Sequence, residues 1–252
     1  MNKLHAYISL TRLNRPIGIY LVLWPSLWSL WLASSGTPDL WIVFIFILGA
    51  ILMRSAGCVI NDFADRNLDG AVKRTCNRPL ATGVLSSKEA LSFFALLCFI
   101  AFGLVLTLNS LTVWLSLVAV GLAALYPFTK RFTHWPQVFL GAAFAWAIPM
   151  GFAAVLNDVP WQVWPIFMAT LVWSLIYDTA YAVGDMSDDV KVGIKSTAIL
   201  FGAHLVLWIG FFQAIMLGLL IWMGQLFSLG GGYALSLLAV GTWFLFDLKR
   251  LS

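Results

Sequence analysis

Apolar residues in this chain do not alternate with polar ones; they run almost unbroken for about 20 residues at a time. At about 1.5 Å per residue, each run is long enough to cross the hydrocarbon core of a bilayer as a helix. The pattern predicts eight such helices, over 16–34, 40–60, 90–108, 110–128, 137–156, 162–181, 198–223 and 232–247. The joints are short and hold turn formers: SSGTPD at 34–39, LNS at 108–110, NDVP at 157–160 and GQLFSLGGG at 224–232. Backbone inside lipid has to satisfy its own hydrogen bonds. The expected fold class is therefore all-α, a polytopic transmembrane helix bundle of about eight helices in one domain, embedded in the lipid bilayer.

Composition sharpens this picture. The chain is 61% hydrophobic and 10% charged, far below the roughly one-quarter charged residues of soluble domains. Several of the 13 tryptophans (Trp24, Trp28, Trp41, Trp135, Trp161, Trp164) stand near run ends, where indole rings suit the membrane–water interface. The 15 basic residues fall before the first run, from the end of the second run to the third, between the fourth and fifth and the sixth and seventh, and after the eighth; the alternate joints have none. The positive-inside rule then places both termini in the cytoplasm. On this reading the formal charge of +4 reports topology, and no nucleic-acid partner is expected. Richness in Trp and Pro sets the first run apart from a cleaved leader. Cys58, Cys76 and Cys98 form no CxxC pair and no even framework, so they read as incidental thiols.

Against this oily background the acids are concentrated. Asp62, Asp65 and Asp69 follow the second run, and Asp178, Asp185, Asp188 and Asp189 close the sixth. Offsets of three, four and seven share one helix face, so each set is expected to form a single acidic face, with Asn61 joining the first. Several carboxylates on one face repel, and solvated loop acids explain poorly why two such faces arise at the same end of the bundle. Neutralisation by a hard cation accounts for both. Asp and Asn oxygens without His or Cys suit Mg²⁺, which takes one or two carboxylates and completes its shell with water and phosphate oxygens. Arg66, Lys73, Arg74 and Arg78 follow the first set and Lys191 and Lys195 the second, the charge a diphosphate would need. Acids and bases at one end of an apolar bundle thus point to a substrate with a diphosphate head and an apolar tail.

The spacing N-D-x-x-D-x-x-x-D at Asn61–Asp69 and D-x-x-x-D at Asp185–Asp189 resembles the paired motifs of the UbiA superfamily of intramembrane prenyltransferases. RPIGIYLVLWPSLWSLWLA, LMRSAGCVINDFADRNLDG, YPFTKRFTHWPQVFLGAAFAWAIPMGFAA and YDTAYAVGDMSDDVKVGIKSTAILFG extend the likeness to nearly the whole chain, and most resemble bacterial members acting on 4-hydroxybenzoate. The resemblance implies transfer of a polyprenyl chain from polyprenyl diphosphate to the ring carbon ortho to the hydroxyl of 4-hydroxybenzoate, in ubiquinone biosynthesis. It implies Asp65, Asp69, Asp185 and Asp189 as catalytic Mg²⁺ ligands, with Asn61 and Asp62 completing the first motif. Arg66, Lys73 and Lys191 become candidates for the diphosphate. Arg131 becomes the first candidate for the benzoate carboxylate and Arg54 the second. Such members usually carry a ninth membrane helix, whereas this sequence ends at FDLKRLS after the eighth run. The resemblance therefore implies a single domain over 1–252 lacking that helix.

The chemistry agrees with the residues. Allylic diphosphate loss leaves a carbocation, which cationic groups around the leaving group and aromatic faces such as Tyr126, Phe128, Trp146 or Tyr177 can stabilise. Two other readings stay open at this level: a transferase of the same family with another acceptor (haem, a naphthoate, homogentisate or a chlorophyll precursor), and a cation-coupled transporter. Transporters place acids near the midplane, whereas these crowd one end.

Overall fold

The computed structural model describes residues 2–72 and 74–251. The expected bundle is present. After a short helix α1 (Lys3–Leu10) come α2 (Ile17–Ala33), α3 (Leu40–Asp65), α4 (Ser87–Val105) and α5 (Ser110–Thr129). The fifth run is split into α6 (Pro136–Ala145) and α7 (Ala147–Leu156). Then follow α8 (Val163–Ala182), α9 (Met186–Val192), α10 (Thr197–Phe201), α11 (Leu205–Leu226) and α12 (Gly231–Leu251). Seven helical segments among the described residues are long and apolar enough to cross a membrane, and α2 is a shorter apolar helix. Together they match the eight predicted runs in position.

Local chemistry explains the boundaries. Asp39 and Asn109 cap α3 and α5 by accepting from backbone N–H groups of the first turn, and Ser86 with Glu89 forms a reciprocal capping box on α4. Asn157, in the left-handed region, ends α7. The break at Trp146 has a cause three residues on: Pro149 has no N–H for the Ala145 carbonyl, so the regular ladder cannot pass this point.

Two features were not in the apolar pattern. Helix α1 lies ahead of the first run and buries Ala6 and Leu10 against Ala56, Val59, Leu85 and Ala90. The first acidic set is also not one helical face. Helix α3 stops at Asp65, and Asp69 follows in a separate 3₁₀ turn, Asp69–Ala71. Likewise Asp178 is on α8, Asp185 in a 3₁₀ turn (Val183–Asp185), and Asp188 and Asp189 on α9. A continued helix would stack like charges at four-residue spacing, which is unfavourable; the turn lets a cation come between them instead.

Close helix packing rests on small residues, as expected where lipid offers no hydrophobic drive between helices. Helix α6 meets α8 at Gly141, where a Cβ would stand 2.7 Å from the backbone oxygen of Leu171. Helix α4, in contrast, leaves open space at Gly103. Gly141→Ala is expected to destabilise the protein by about 1–3 kcal/mol, because a backbone oxygen cannot swing aside. Gly103→Ala should be neutral or slightly stabilising. Thermal unfolding of both variants in detergent tests this, and equal midpoints would show that α6 and α8 yield at the contact.

Candidate active site

The last two turns of α3 carry Asn61, Asp62 and Asp65, and the turn after it carries Asp69; all three aspartates are buried. Three cations from three different joints meet them. Arg12, before α2, donates to Asp62 at 2.8 Å. Lys130, at the end of α5, is ion-paired with Asp65. Arg78, between α3 and α4, lies 3.1 Å from Asp62, 3.0 Å from each oxygen of Asp69 and 3.9 Å from Asp65. Burial pushes the Asp69 carboxyl above the usual carboxylate range, against the pull of the Arg78 charge.

The second motif is tied to this cluster through Arg74, which pairs with Asp185, donates to the Tyr181 hydroxyl at 3.0 Å and lies over its ring. Asp189 is half-buried nearby, within the electrostatic reach of Lys130, Arg74 and Asp65. The backbone N–H of Lys195 donates to the Lys130 carbonyl at 2.9 Å, joining the segment after α9 to the end of α5. The two motifs therefore face each other around a shared set of cations.

Not every sequence candidate lies in this cluster. Arg66 turns back to the Phe63 carbonyl (2.6 Å) and covers the Phe63 ring. Lys191 is exposed and bonds Asp188 at 3.0 Å. Lys73 lies outside the described residues. Arg131 is exposed, donates to the Ala64 carbonyl and stands over Phe128. Arg54 is differently placed. It is two turns before Asn61 on the same face of α3 and lines an apolar cavity of about 1150 Å³, counting its open mouth, whose walls come from each of the helices α2 to α7. Tyr126 lines the same cavity, with Phe46, Phe102, Phe144 and Met150. Gly18 makes room for the guanidinium, since a Cβ there would stand 2.5 Å from Arg54 Nε. That Nε is buried and has no hydrogen-bond partner, and Asp178 on α8 is electrostatically close to the same guanidinium.

The donor set suits a hard divalent ion such as Mg²⁺. Asp62 Oδ2 and Asp65 Oδ1 are buried carboxylate oxygens without partners, and such oxygens are costly unless a cation answers them. Among the described residues no three acidic, imidazole or thiol groups converge tightly enough to form a protein-only ion site. An ion here would take one or two carboxylates and complete its shell with phosphate oxygens and water, the usual habit of Mg²⁺.

Residues that sequence reasoning left out of the site are Arg12 and Lys130, because the positive-inside rule already explains a basic residue in each of those joints. A signal for Lys130 existed: it follows Tyr126 by four residues at the end of a span and so shares its helix face.

Comparison with known proteins identifies the family. The UbiA prenyltransferase family matches residues 22–252. A 4-hydroxybenzoate octaprenyltransferase of Hydrogenovibrio crunogenus is 64% identical over 250 residues, covering 99% of this chain and 88% of the relative. One of Citrobacter koseri is 53% identical over 248 residues, covering 98% and 86%. Among solved structures, a UbiA homologue of Aeropyrum pernix shares the fold with a TM-score of 0.79 at 23% identity, covering 100% of this chain and 90% of that one. A homologue of Archaeoglobus fulgidus bound to GPP and Mg²⁺ does so with a TM-score of 0.76 at 20% identity, covering 97% and 86%. Paired acidic motifs at one end of a helix bundle, above an apolar cavity, and a family match over most of the sequence lead to one conclusion: the chain belongs to the UbiA prenyltransferase family.

Proposed function

We propose that the protein transfers a polyprenyl chain from polyprenyl diphosphate to the ring carbon ortho to the hydroxyl of 4-hydroxybenzoate, a step of ubiquinone assembly at the bacterial inner membrane. One observation carries this reading. Arg54, whose buried Nε has no hydrogen-bond partner, lines an apolar cavity three turns along α3 from the buried Asp65 and its cations. Names of relatives 51–64% identical over nearly the full chain support the same acceptor.

Each part of the substrate pair has a matching environment. The diphosphate belongs at the charged end, where Asn61, Asp62, Asp65 and Asp69 on one side and Asp185 and Asp189 on the other would hold Mg²⁺. When bound, Mg²⁺ supplies the positive charge that stabilises the diphosphate as it leaves. Lys130, Arg74 and Arg78 stand at the same place and can donate to phosphate oxygens; the sequence candidates Arg66 and Lys191 remain available from the rim, and Lys73 stays a candidate by its sequence position alone. The polyprenyl tail, apolar throughout, suits the cavity beneath. Arg54 grips the benzoate carboxylate with two parallel N–H bonds. Of the aromatic rings considered from sequence, Tyr126 lines the cavity and can face the allylic cation. Trp146 instead packs on Phe167 and donates to the Leu115 carbonyl, and Tyr177 packs on Trp173. Apolar walls keep water from trapping the cation. Transport is disfavoured by where the acids sit: at the ends of α3 and α8 beside cations, not midway along the spans.

Incubation with 4-hydroxybenzoate, a polyprenyl diphosphate and Mg²⁺ should give the 3-polyprenyl acid, and EDTA should abolish it until Mg²⁺ is restored. Full turnover in chelator would defeat the two-motif reading. Asp65→Asn and Asp185→Asn should act mainly on kcat, because charge at the metal matters most as the leaving group ionises.

Acceptor binding separates the two arginines. Arg54→Lys should raise the KM for 4-hydroxybenzoate roughly tenfold or more, the worth of a lost charge-assisted bond, with the KM for polyprenyl diphosphate little changed. Arg131→Lys should leave both near wild type; the reverse result would return the carboxylate to Arg131.

Orientation is tested by labelling intact cells with an impermeant thiol reagent, in a protein whose three native cysteines are replaced. Thr37→Cys and Asp158→Cys should react and Lys88→Cys should not. The opposite pattern would put the charged end outside the cytoplasm.

A further inference from the structure

Arg78 is the side chain that touches all three aspartates of the first motif, and it does so with a single nitrogen. Nη1 stands 3.0 Å from both oxygens of Asp69, 3.1 Å from Asp62 and 3.9 Å from Asp65. An arginine built to hold one carboxylate permanently uses its fork, with two nitrogens on two oxygens. Here the guanidinium serves as a point charge at the centre of three carboxylates, the role a divalent ion fills.

The backbone that carries it is fixed. The Arg78 N–H donates to the Thr75 carbonyl at 2.9 Å, and Thr82 donates back to the Arg78 carbonyl through its N–H (3.0 Å) and hydroxyl (3.1 Å). The Thr75 hydroxyl in turn donates to the Asp69 carbonyl at 3.0 Å. Movement of Arg78 is thus a matter of side-chain rotation, not of loop rearrangement.

Charge and satisfaction point the same way. Arg12, Arg78 and Lys130 match Asp62, Asp65 and Asp69 one for one, yet Asp62 Oδ2 and Asp65 Oδ1 remain buried without partners. The cluster is balanced in charge but incompletely bonded, so it is poised to accept a stronger cation. An incoming Mg²⁺ would add two positive charges to a neutral cluster, and at these distances it and Nη1 would repel strongly. A diphosphate arriving with the metal offers Arg78 new acceptors close by.

We infer that Arg78 is the exchangeable counter-ion of the first motif: it holds Asp62, Asp65 and Asp69 together, yields them to Mg²⁺, and turns to the diphosphate that arrives with the metal. This rests on the reading that these acids hold Mg²⁺ with a diphosphate. The alternative is a fixed structural arginine that stays on the carboxylates throughout.

The two roles predict opposite signs in binding, measured by calorimetry on the purified full chain in detergent, with no acceptor present. R78Q removes a positive charge beside the metal position, so Mg²⁺ alone should bind at least about tenfold more tightly than to wild type. Inorganic diphosphate, added at saturating Mg²⁺, should bind about tenfold more weakly for loss of a charge-assisted donor. R78K keeps the charge, so its Mg²⁺ affinity should stay close to wild type while diphosphate affinity falls. Unchanged or weaker Mg²⁺ binding in folded R78Q would overturn the exchange and leave Arg78 as a structural clamp. Should R78Q fail to fold, unchanged diphosphate affinity in R78K would overturn it as well. Wild-type protein that bound neither Mg²⁺ nor diphosphate would instead defeat the underlying reading, a result that does not depend on either variant.

Discussion

Three buried carboxylates within eight consecutive residues, at the rim of an apolar bundle, cannot be left uncompensated, and much of the charged end is organised by that requirement. Each acid has a partner from a different part of the chain: Arg12 from the segment before α2, Arg78 from the joint after α3, Lys130 from the end of α5. Arg74 extends the pattern to Asp185 beyond α8. Pairing therefore does more than cancel charge. It draws the N-terminal segment and three joints into one cap over the ends of the helices. Arg12 makes its contact from a left-handed backbone conformation (φ 58°) that non-glycine residues rarely adopt. The surrounding structure holds it there through Thr11 and Ser9, whose backbone groups anchor the turn.

The cavity depends on a complementary economy of side-chain size. Small residues along its walls, among them Gly49, Gly57 and Ala119, open space that large side chains would fill. Gly18 does the same for Arg54, which could not lie where it does beside a larger residue. A charged side chain within an apolar span is costly and marks function by default. Here that cost is moderated by the Phe144 ring, 5.9 Å from the guanidinium, and by the charge of Asp178.

The helices were legible in the sequence because lipid leaves the backbone no alternative to internal hydrogen bonding; run length and joint composition were enough. The acids were legible as residues but not as geometry. Three-and-four spacing suggested one helical face, whereas α3 stops at Asp65 and a turn carries Asp69 around Arg78. Cations were the least legible part. The positive-inside rule accounts for every basic residue in those joints, so charge alone could not separate Lys130, inside the cluster, from its neighbour Arg131, outside it; only the shared helix face with Tyr126 distinguished Lys130. Arg54 carried a signal of its own, a guanidinium eleven residues before Asp65 within an apolar run, and the spacing of three helical turns puts it under the acids.

That spacing bears on acceptor choice in the proposed reaction. Asn61 and Arg54 are seven residues apart, two turns or about 10 Å along α3. The reacting ring has to lie within this interval if its carboxylate reaches Arg54 while the diphosphate stays with the acids above. An acceptor without an acidic group would leave the buried Nε still unpaired, with only Asp178 and the Phe144 ring to moderate the guanidinium charge, and a buried polar group without a partner carries a penalty. Selection for a small aromatic acid then comes less from extra attraction than from what Arg54 forfeits when any neutral acceptor takes its place.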